Sequence, residues 1–262
     1  KNYLFIQHPE KGRIPFELFE FQEDCIKDFL KYKFNVVVKS RQLGLSTTAA
    51  AYCLWMAMFH EDRNILILAT KLDVAKKIIN KIRVTFKMLP GWMVGLLGLT
   101  EPEASSVKYM KLSNGSTITA EPTTENSGRS DALSLLVIDE CAHIEGLEDI
   151  WVALKPALTV AKNAKVIAFS SPKGKANFFY KLYKEAETGV WEEDKKGFHA
   201  KGPGKNNFHA IKLPWTVHPD RDEKWFEEES KSMDAKAIAQ EFMASFEQSG
   251  DTYFNIETMN NI

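Results

Sequence analysis

The sequence predicts an α/β fold, with a mainly parallel central sheet flanked by helices on both faces. Two observations carry this expectation. Short β-branched or aliphatic runs, too apolar to be half-exposed, recur along the 262-residue chain. Between them lie longer stretches with apolar residues at helical spacing. A hairpin inserted midway adds antiparallel pairing.

The elements follow in order. From Phe16 to Tyr32 the apolar positions Phe21, Cys25, Ile26, Phe29 and Leu30 fall on one side of a helix. Asn35–Lys39 is a short β-branched strand, and a turn at Gly44 leads into a helix from about Ser46 to His60. Asn64–Ala69 reads as a buried strand. Asp73–Met88 reads as an amphipathic helix capped by Asp73 and stopped by Pro90-Gly91. Asn114-Gly115 separates two alternating runs, Val107–Leu112 and Ser116–Ala120, and marks a hairpin. Leu135–Ile138 and Ala164–Phe169 are further strands, with a helical stretch around Trp151–Val160 between them. Gly189–Asn207, rich in Gly and Lys, reads as an exposed loop or hairpin. Helix-like stretches at Asp222–Met233 and Ala235–Gln248 form a small C-terminal helical subdomain. The expected division is an N-terminal helical segment (1–34), a core (35–188), a lid-like helical part (189–249) and the start of a linker (250–262).

Composition narrows the function classes. Lys and Arg number 34 against 35 Asp and Glu, so nucleic acid is not gripped by the whole surface. From Lys162 to Lys205, however, ten lysines face five acids, a local basic excess suited to contacting phosphate without reading bases. Three cysteines at irregular spacing fit no metal knuckle and read as bystander thiols. The longest apolar run, Ala49–Phe59, is too short to cross a bilayer.

The chemistry concentrates at two places. Lys39-Ser40-Arg41-Gln42-Leu43-Gly44-Leu45-Ser46-Thr47 lies between a strand and a helix, where backbone N–H groups and a helix N-terminus face an anion. Against the pattern G-x-x-x-x-G-K-[ST], Gly44 fills the second glycine position and Ser46 the magnesium-ligating hydroxyl position. Lys39 stands in the first glycine slot and Leu45 in the usual lysine slot. Lys39 is therefore the candidate phosphate cation, entering from the other end of the loop, with Arg41 as a second. The other place is Leu135-Leu-Val-Ile-Asp139-Glu140, an apolar strand that delivers two carboxylates to its C-terminal end. Asp139 suits magnesium, and Glu140 suits orienting and activating the attacking water. Strand alternation sends neighbouring residues to opposite faces, so the two acids can share a site only if the strand has ended.

These segments, with Phe169-Ser-Ser-Pro-Lys-Gly174, resemble the large terminase subunits of tailed bacteriophages, especially the T-even type, from about Phe19 to Phe254. The resemblance implies a P-loop NTPase fold of the ASCE (additional-strand, catalytic-glutamate) type, using ATP and Mg2+. It implies ATP-driven translocation of double-stranded DNA into a procapsid. The implied partners are the portal protein, the small terminase subunit and further copies in a pentameric ring, with a monomer in isolation. The implied setting is the cytoplasm of the infected host, docked on the procapsid, neither membrane-bound nor part of the virion. Such proteins usually carry a C-terminal nuclease domain, so this chain is expected to hydrolyse ATP without cutting DNA. By the same resemblance, Phe21-Gln22 reads adenine, Arg129 is a finger supplied to a neighbouring subunit, with Arg41 its competitor in cis, and Ser170 and Ser171 couple hydrolysis to motion. Two other readings share several of these motifs. A superfamily 2 helicase would need a second RecA-like domain, and a non-catalytic nucleotide-binding scaffold would be one disabled by Leu45.

Overall fold

A computed structural model describes residues 4–8, 11–99, 104–123 and 132–246. The chain opens with a two-stranded antiparallel ribbon, β1 (Phe5–His8) and β2 (Gly12–Pro15), which the sequence pattern did not announce. Then follow α1 (Glu20–Lys31), β3 (Phe34–Lys39), α2 (Leu45–Phe59), β4 (Asn64–Ala69), α3 (Leu72–Lys87) and a short α4 (Gly91–Leu96). The middle of the chain supplies β5 (Ala104–Ser106), β6 (Tyr109–Lys111), β7 (Thr117–Pro122), β8 (Leu135–Asp139), α5 (Leu147–Val160) and β9 (Lys165–Ser170). Last come α6 (Phe178–Ala186), β10 (Phe198–His199), β11 (Phe208–Leu213), α7 (Glu223–Ser230) and α8 (Ala235–Glu241).

Nine of these strands form one sheet in the order β10-β11-β3-β9-β8-β4-β7-β6-β5. The five pairings from β11 to β7 are parallel, and the two ends of the sheet are antiparallel. Alternate residues of the central strands supply two separate cores. Val37, Ile65, Ile67, Val137 and Ile167 face α2 and α3, while Val36, Val38, Leu66, Leu136 and Val166 face α5 and α6. Burial on both faces explains why these strands read as continuous apolar runs instead of alternating ones.

Two local expectations are corrected. Asp73 lies inside α3; the cap position is Lys71, which makes no side-chain capping bond. Side-chain caps form elsewhere: Asn177, Asp222 and Asp234 accept from Tyr180 N–H, Trp225 N–H and Ala237 N–H and start α6, α7 and α8. The region after residue 189 does not leave the sheet at once. β10 and β11 form an antiparallel pair, and β11 runs parallel to β3 in register Phe208↔Phe34 through Leu213↔Lys39. Only after Leu213 does the chain build its helical subdomain, around the stacked rings of Trp215 and Phe226 (centroids 4.9 Å apart) with Trp225 and Phe242 edge-on.

The loop before β11 is anchored tightly. Gly204 N–H donates to Phe208 O, and Lys205 N–H donates to Glu185 O near the end of α6. A Cβ at Gly204 would sit 2.5 Å from Ala186 Cα, a backbone atom that cannot move aside. Gly204→Ala is expected to destabilise the fold by about 1–3 kcal/mol, read as a lower Tm in a thermal melt.

A buried ionic joint ties α1 to this part of the sheet. Asp28, fully buried, accepts from His199 Nδ1 at 2.5 Å and from Lys195, whose ammonium also meets Glu192 at 2.7 Å. Burial opposes ionisation of Asp28, but the hydrogen bonds from His199 and Lys195 outweigh it and hold its carboxyl below the usual range. Burial pushes His209, stacked on Tyr32 at 3.9 Å, down to about 4, which leaves it neutral.

Candidate nucleotide and catalytic site

The C-terminal ends of β3, β8 and β9 converge, because these strands are adjacent and parallel. Lys39 ends β3, Asp139 ends β8 and Ser170 ends β9. The loop after Lys39 turns sharply, with Gln42 at φ 57° and Gly44 at φ 72°. Left-handed backbone is readily reached at Gly44 but strained at Gln42. Leu43 and Leu45 are buried in the core, so their side chains anchor the loop and only their backbone faces outward. Leu45 therefore supplies packing where a lysine would supply charge.

Ser46 lies in the first turn of α2, and its Oγ donates to Asp139 Oδ2 at 2.9 Å. Asp139 is 3 % exposed, and its other carboxyl oxygen, Oδ1, is buried without a hydrogen-bond partner. Burial first, and the neighbouring Glu140 charge second, push its pKa up to about 6, against the pull of Ser46 and Lys39. A buried carboxylate with an orphaned oxygen beside a hydroxyl is a donor set of hard oxygens, which fits a magnesium ion.

Glu140 adopts a left-handed conformation, φ 53°, immediately after the strand. That break lets two consecutive acids reach one site. Glu140 Oε1 accepts from Lys39 Nζ at 3.0 Å, and Oε2 accepts from Ser170 Oγ at 3.3 Å. Ser170 in turn accepts from Ala142 N–H at 3.2 Å. Lys39, at 6 % exposure, is thus brought to the acids from the far end of the loop. Ser171 is buried beside Ser170. The open side of Glu140 borders a cavity of 440 Å³ lined also by Thr70, Lys71, His143 and Lys173.

Gln22 lies behind the loop. Its Nε2 donates to Leu43 O at 2.9 Å, and its Oε1 accepts from Phe19 N–H at 3.2 Å. A Cβ on Gly44 would lie 2.9 Å from that Nε2, so the amide packs directly on the turn. Each end of the amide retains capacity for one further bond. Phe21 is fully buried; the ring above it, stacked at 5.8 Å, is the partly exposed Phe19, which also meets His218 at 4.5 Å.

Arg41 does not turn into the site. Its backbone N–H donates to Glu241 O at 2.8 Å and its Nε lies 3.8 Å from Glu241 Oε2, both toward α8. Arg129 lies outside the described residues.

Two residues at the site carried no sequence signal. Lys81, on α3, donates to Thr47 Oγ1 at 3.0 Å, and desolvation lowers its pKa against the pull of Asp139. Arg221, between β11 and α7, donates to Ser40 Oγ and to the carbonyls of Arg41 and Gln42. Each is a single basic residue in an ordinary local context, and only its long-range contact singles it out.

The lysine-rich stretch is less free than its composition implies. Lys165 Nζ donates to the carbonyls of Phe29, Leu30 and Tyr32 at the end of α1. Lys181 pairs with Glu148, Lys184 with Glu187, Lys195 with Asp28 and Glu192, and Lys196 with Glu20. Half of the ten lysines are therefore engaged by partners within the chain.

β9 lies between the P-loop strand β3 and the acid-bearing strand β8. A strand inserted between the strand that leads into the Ser40–Thr47 loop and the acid-bearing strand is the sheet order of the additional-strand class of P-loop folds. Comparison with known proteins shows the family. Residues 36–261 match the family model for the T4-like-virus-type terminase large subunit, N-terminal part, and the chain belongs to that family. The large terminase ATPase domain of Thermus phage P74-26 superimposes with a TM-score of 0.69 at 19 % identity, over 88 % of this chain and 95 % of that one. The large terminase of a thermophilic bacteriophage, solved in complex with ADP, gives 0.63 at 11 % identity over 88 % of this chain and 54 % of its own. For the HK97 bacteriophage large terminase the score is 0.58 at 17 % identity, over 70 % and 39 %. The chain thus spans about half of the ADP-bound terminase and less of the HK97 protein.

Among the described residues, no helix is long and apolar enough to cross a membrane, and no group of three or more His, Cys, Asp or Glu could hold a metal ion.

Proposed function

We propose that this site binds ATP with magnesium and hydrolyses it, and that the turnover drives double-stranded DNA into a procapsid. The observation that carries the reading is the Ser46–Asp139 pair, with its orphaned buried oxygen next to the N-terminus of α2. Ser46 and Asp139 would hold the ion, which when bound neutralises phosphate charge. The loop from Ser40 to Thr47 would cradle the phosphates through its backbone, with Gly44 permitting the close approach. Gln22 is buried behind the loop, so its spare donor and acceptor would meet an adenine edge that enters past Phe19 and His218.

Lys39 and Glu140 hold each other in this structure. Phosphate offers Lys39 a stronger partner than a half-buried carboxylate does. Binding of nucleotide would therefore release Glu140 to orient and deprotonate a water. Ser170, bonded both to Glu140 and to the backbone after β8, would register that release, with Ser171 beside it. Arg41 is held toward α8, which favours Arg129 as the finger acting on a neighbouring subunit's nucleotide. A ring of copies, pentameric in the resembled family, then follows, docked on the portal with the small subunit in the host cytoplasm. Residues 35–188 together with β10 and β11 would form the motor core, and α7 and α8 its lid.

The test is steady-state ATP turnover at rising protein concentration, for wild type and Lys39→Ala. Specific activity is expected to rise with concentration, as a finger acting in trans requires. Lys39→Ala is expected to lose about 10²–10³-fold, the scale for removing one preorganised charge from a developing anion. Undiminished turnover in Lys39→Ala would show that another cation, such as Lys81, holds the phosphates.

A further inference from the structure

We infer that Arg221 is a positioning residue of the phosphate loop: from the helical subdomain it sets the direction of the backbone N–H groups that receive phosphate. The inference rests on the reading of this loop as the nucleotide site.

The geometry is specific. Arg221 Nη1 donates to Arg41 O at 3.2 Å and to Ser40 Oγ at 3.4 Å, and its Nη2 donates to Gln42 O at 3.1 Å. One planar fork thus meets three acceptors on three consecutive residues. The guanidinium is itself held in place, 4.4 Å above the ring of Trp225. Trp225 belongs to α7 and packs against Trp215 and Phe242. The fork is therefore anchored in the aromatic core of the helical subdomain.

The consequence follows from peptide geometry. In a planar trans peptide the C=O of one residue and the N–H of the next point in opposite directions. Fixing Arg41 O and Gln42 O toward Arg221 therefore fixes the N–H groups of Gln42 and Leu43 away from it, into the concavity of the loop. Those are donors a phosphate needs. The same two bonds restrain Gln42, whose φ of 57° is strained for a residue with a side chain. The usual loop has a glycine at its first position; this loop starts with Lys39, and its curvature is held from outside. Arg41 N–H, bonded to Glu241 O at 2.8 Å, is a second tether from the same subdomain. The placement of α7 and α8 is thereby linked to the aim of the loop. A displacement of these helices would re-aim the donors without any contact to nucleotide.

A lysine cannot replace this function, because one ammonium cannot present two parallel donors to two fixed carbonyls. ADP binding, measured by calorimetry with magnesium, and ATP turnover together test the inference. Arg221→Met keeps an unbranched stem over Trp225 and removes the donors. It is expected to raise the Kd for ADP and the KM for ATP by about 10–100-fold, with kcat reduced less than about threefold. That split marks loss of binding common to ground and transition states. Arg221→Lys is expected to weaken ADP binding nearly as much, and it remains available if the Met variant does not fold. Ser46→Ala serves as the control for the site itself. If Ser46→Ala weakens ADP binding while both Arg221 variants bind ADP as wild type does, the positioning role is wrong. Full binding in the Lys variant alone would mean that charge acts and the fork does not. If kcat falls as steeply as kcat/KM, Arg221 touches the transferring phosphate and is catalytic, which overturns the inference. If Ser46→Ala also leaves ADP binding intact, the loop is not the nucleotide site, and both readings fall.

Discussion

Glu140→Gln is expected to lower ATP turnover by about 10²–10⁴-fold, the usual contribution of a positioned general base, while nucleotide still binds. The geometry gives the reason for separating the two effects. Glu140 touches Lys39 and Ser170 and is not part of the phosphate loop. Glutamine has the same length, and its amide oxygen can accept from Ser170 or Lys39. It cannot take a proton from water. The variant also breaks the charge pairing with Lys39, so the lysine no longer has to leave a carboxylate to meet phosphate. Nucleotide affinity should therefore be unchanged or slightly tighter. Single-turnover hydrolysis and ADP titration on one preparation measure both quantities. Retention of turnover within about tenfold would remove Glu140 from the chemistry and leave it a buttress for Lys39.

Asp139→Asn is expected to raise the stability of the nucleotide-free protein at pH 7 while weakening magnesium-dependent nucleotide binding by more than about tenfold. The stability half follows from linkage. Asp139 titrates at about 6 in the fold and near 3.9 in an unfolded chain. Between those values the folded protein binds more protons than the unfolded one, so stability falls as pH rises. Below about pH 4 the carboxyl is protonated in both states and the penalty is absent. Above about pH 6 the penalty is complete, on the order of 1–3 kcal/mol for a group this buried. Asparagine carries no charge to desolvate, and its oxygen still accepts from Ser46 Oγ. Its melting temperature should exceed that of wild type at pH 7, and the difference should vanish toward pH 4. The functional half follows from the same charge, since a neutral amide is a weaker magnesium ligand than a carboxylate. Melts across pH 4–8 without nucleotide, paired with magnesium–ADP titration, check both halves. A lower Tm at pH 7 would show that Asp139 stabilises the empty site.

The sites of these two substitutions were legible in the sequence because local signals mark them. A phosphate loop must lie between a strand and a helix, and Asn35–Lys39 and Ser46–His60 supplied both. Leu135–Ile138 announced a strand fully buried on both faces, with two acids at its end. Asn64–Ala69 is legible to its last residue for the same reason: an unbroken aliphatic run, Ile65 to Ala69, lies between polar residues. Elements without strong periodicity were not legible. β11 carries a histidine and a lysine, Phe208-His-Ala-Ile-Lys-Leu213, and it is an interior strand in which His209 Nε2 donates to Ala200 O and the imidazole stacks on Tyr32. β10 has two residues, and the β1–β2 ribbon has four on each side.

Residue type and spacing along the chain already name the chemical groups: a rearranged loop with Lys39 at its entrance, a hydroxyl and a carboxyl in Ser46 and Asp139, and a glutamate next in the chain. Periodicity and residue type act over a few residues, so these could be read locally. Which group meets which depends on the folded arrangement of the layers. Sheet order places β9 between β3 and β8, which brings Ser170 to Glu140. The left-handed turn at Glu140 sends it to Lys39, 101 positions away, while Asp139 goes to Ser46. Packing of the helical subdomain carries Arg221 back to Gln42, 179 positions earlier. Such contacts are set by how layers pack and in what order strands pair, and no local pattern along the chain encodes either.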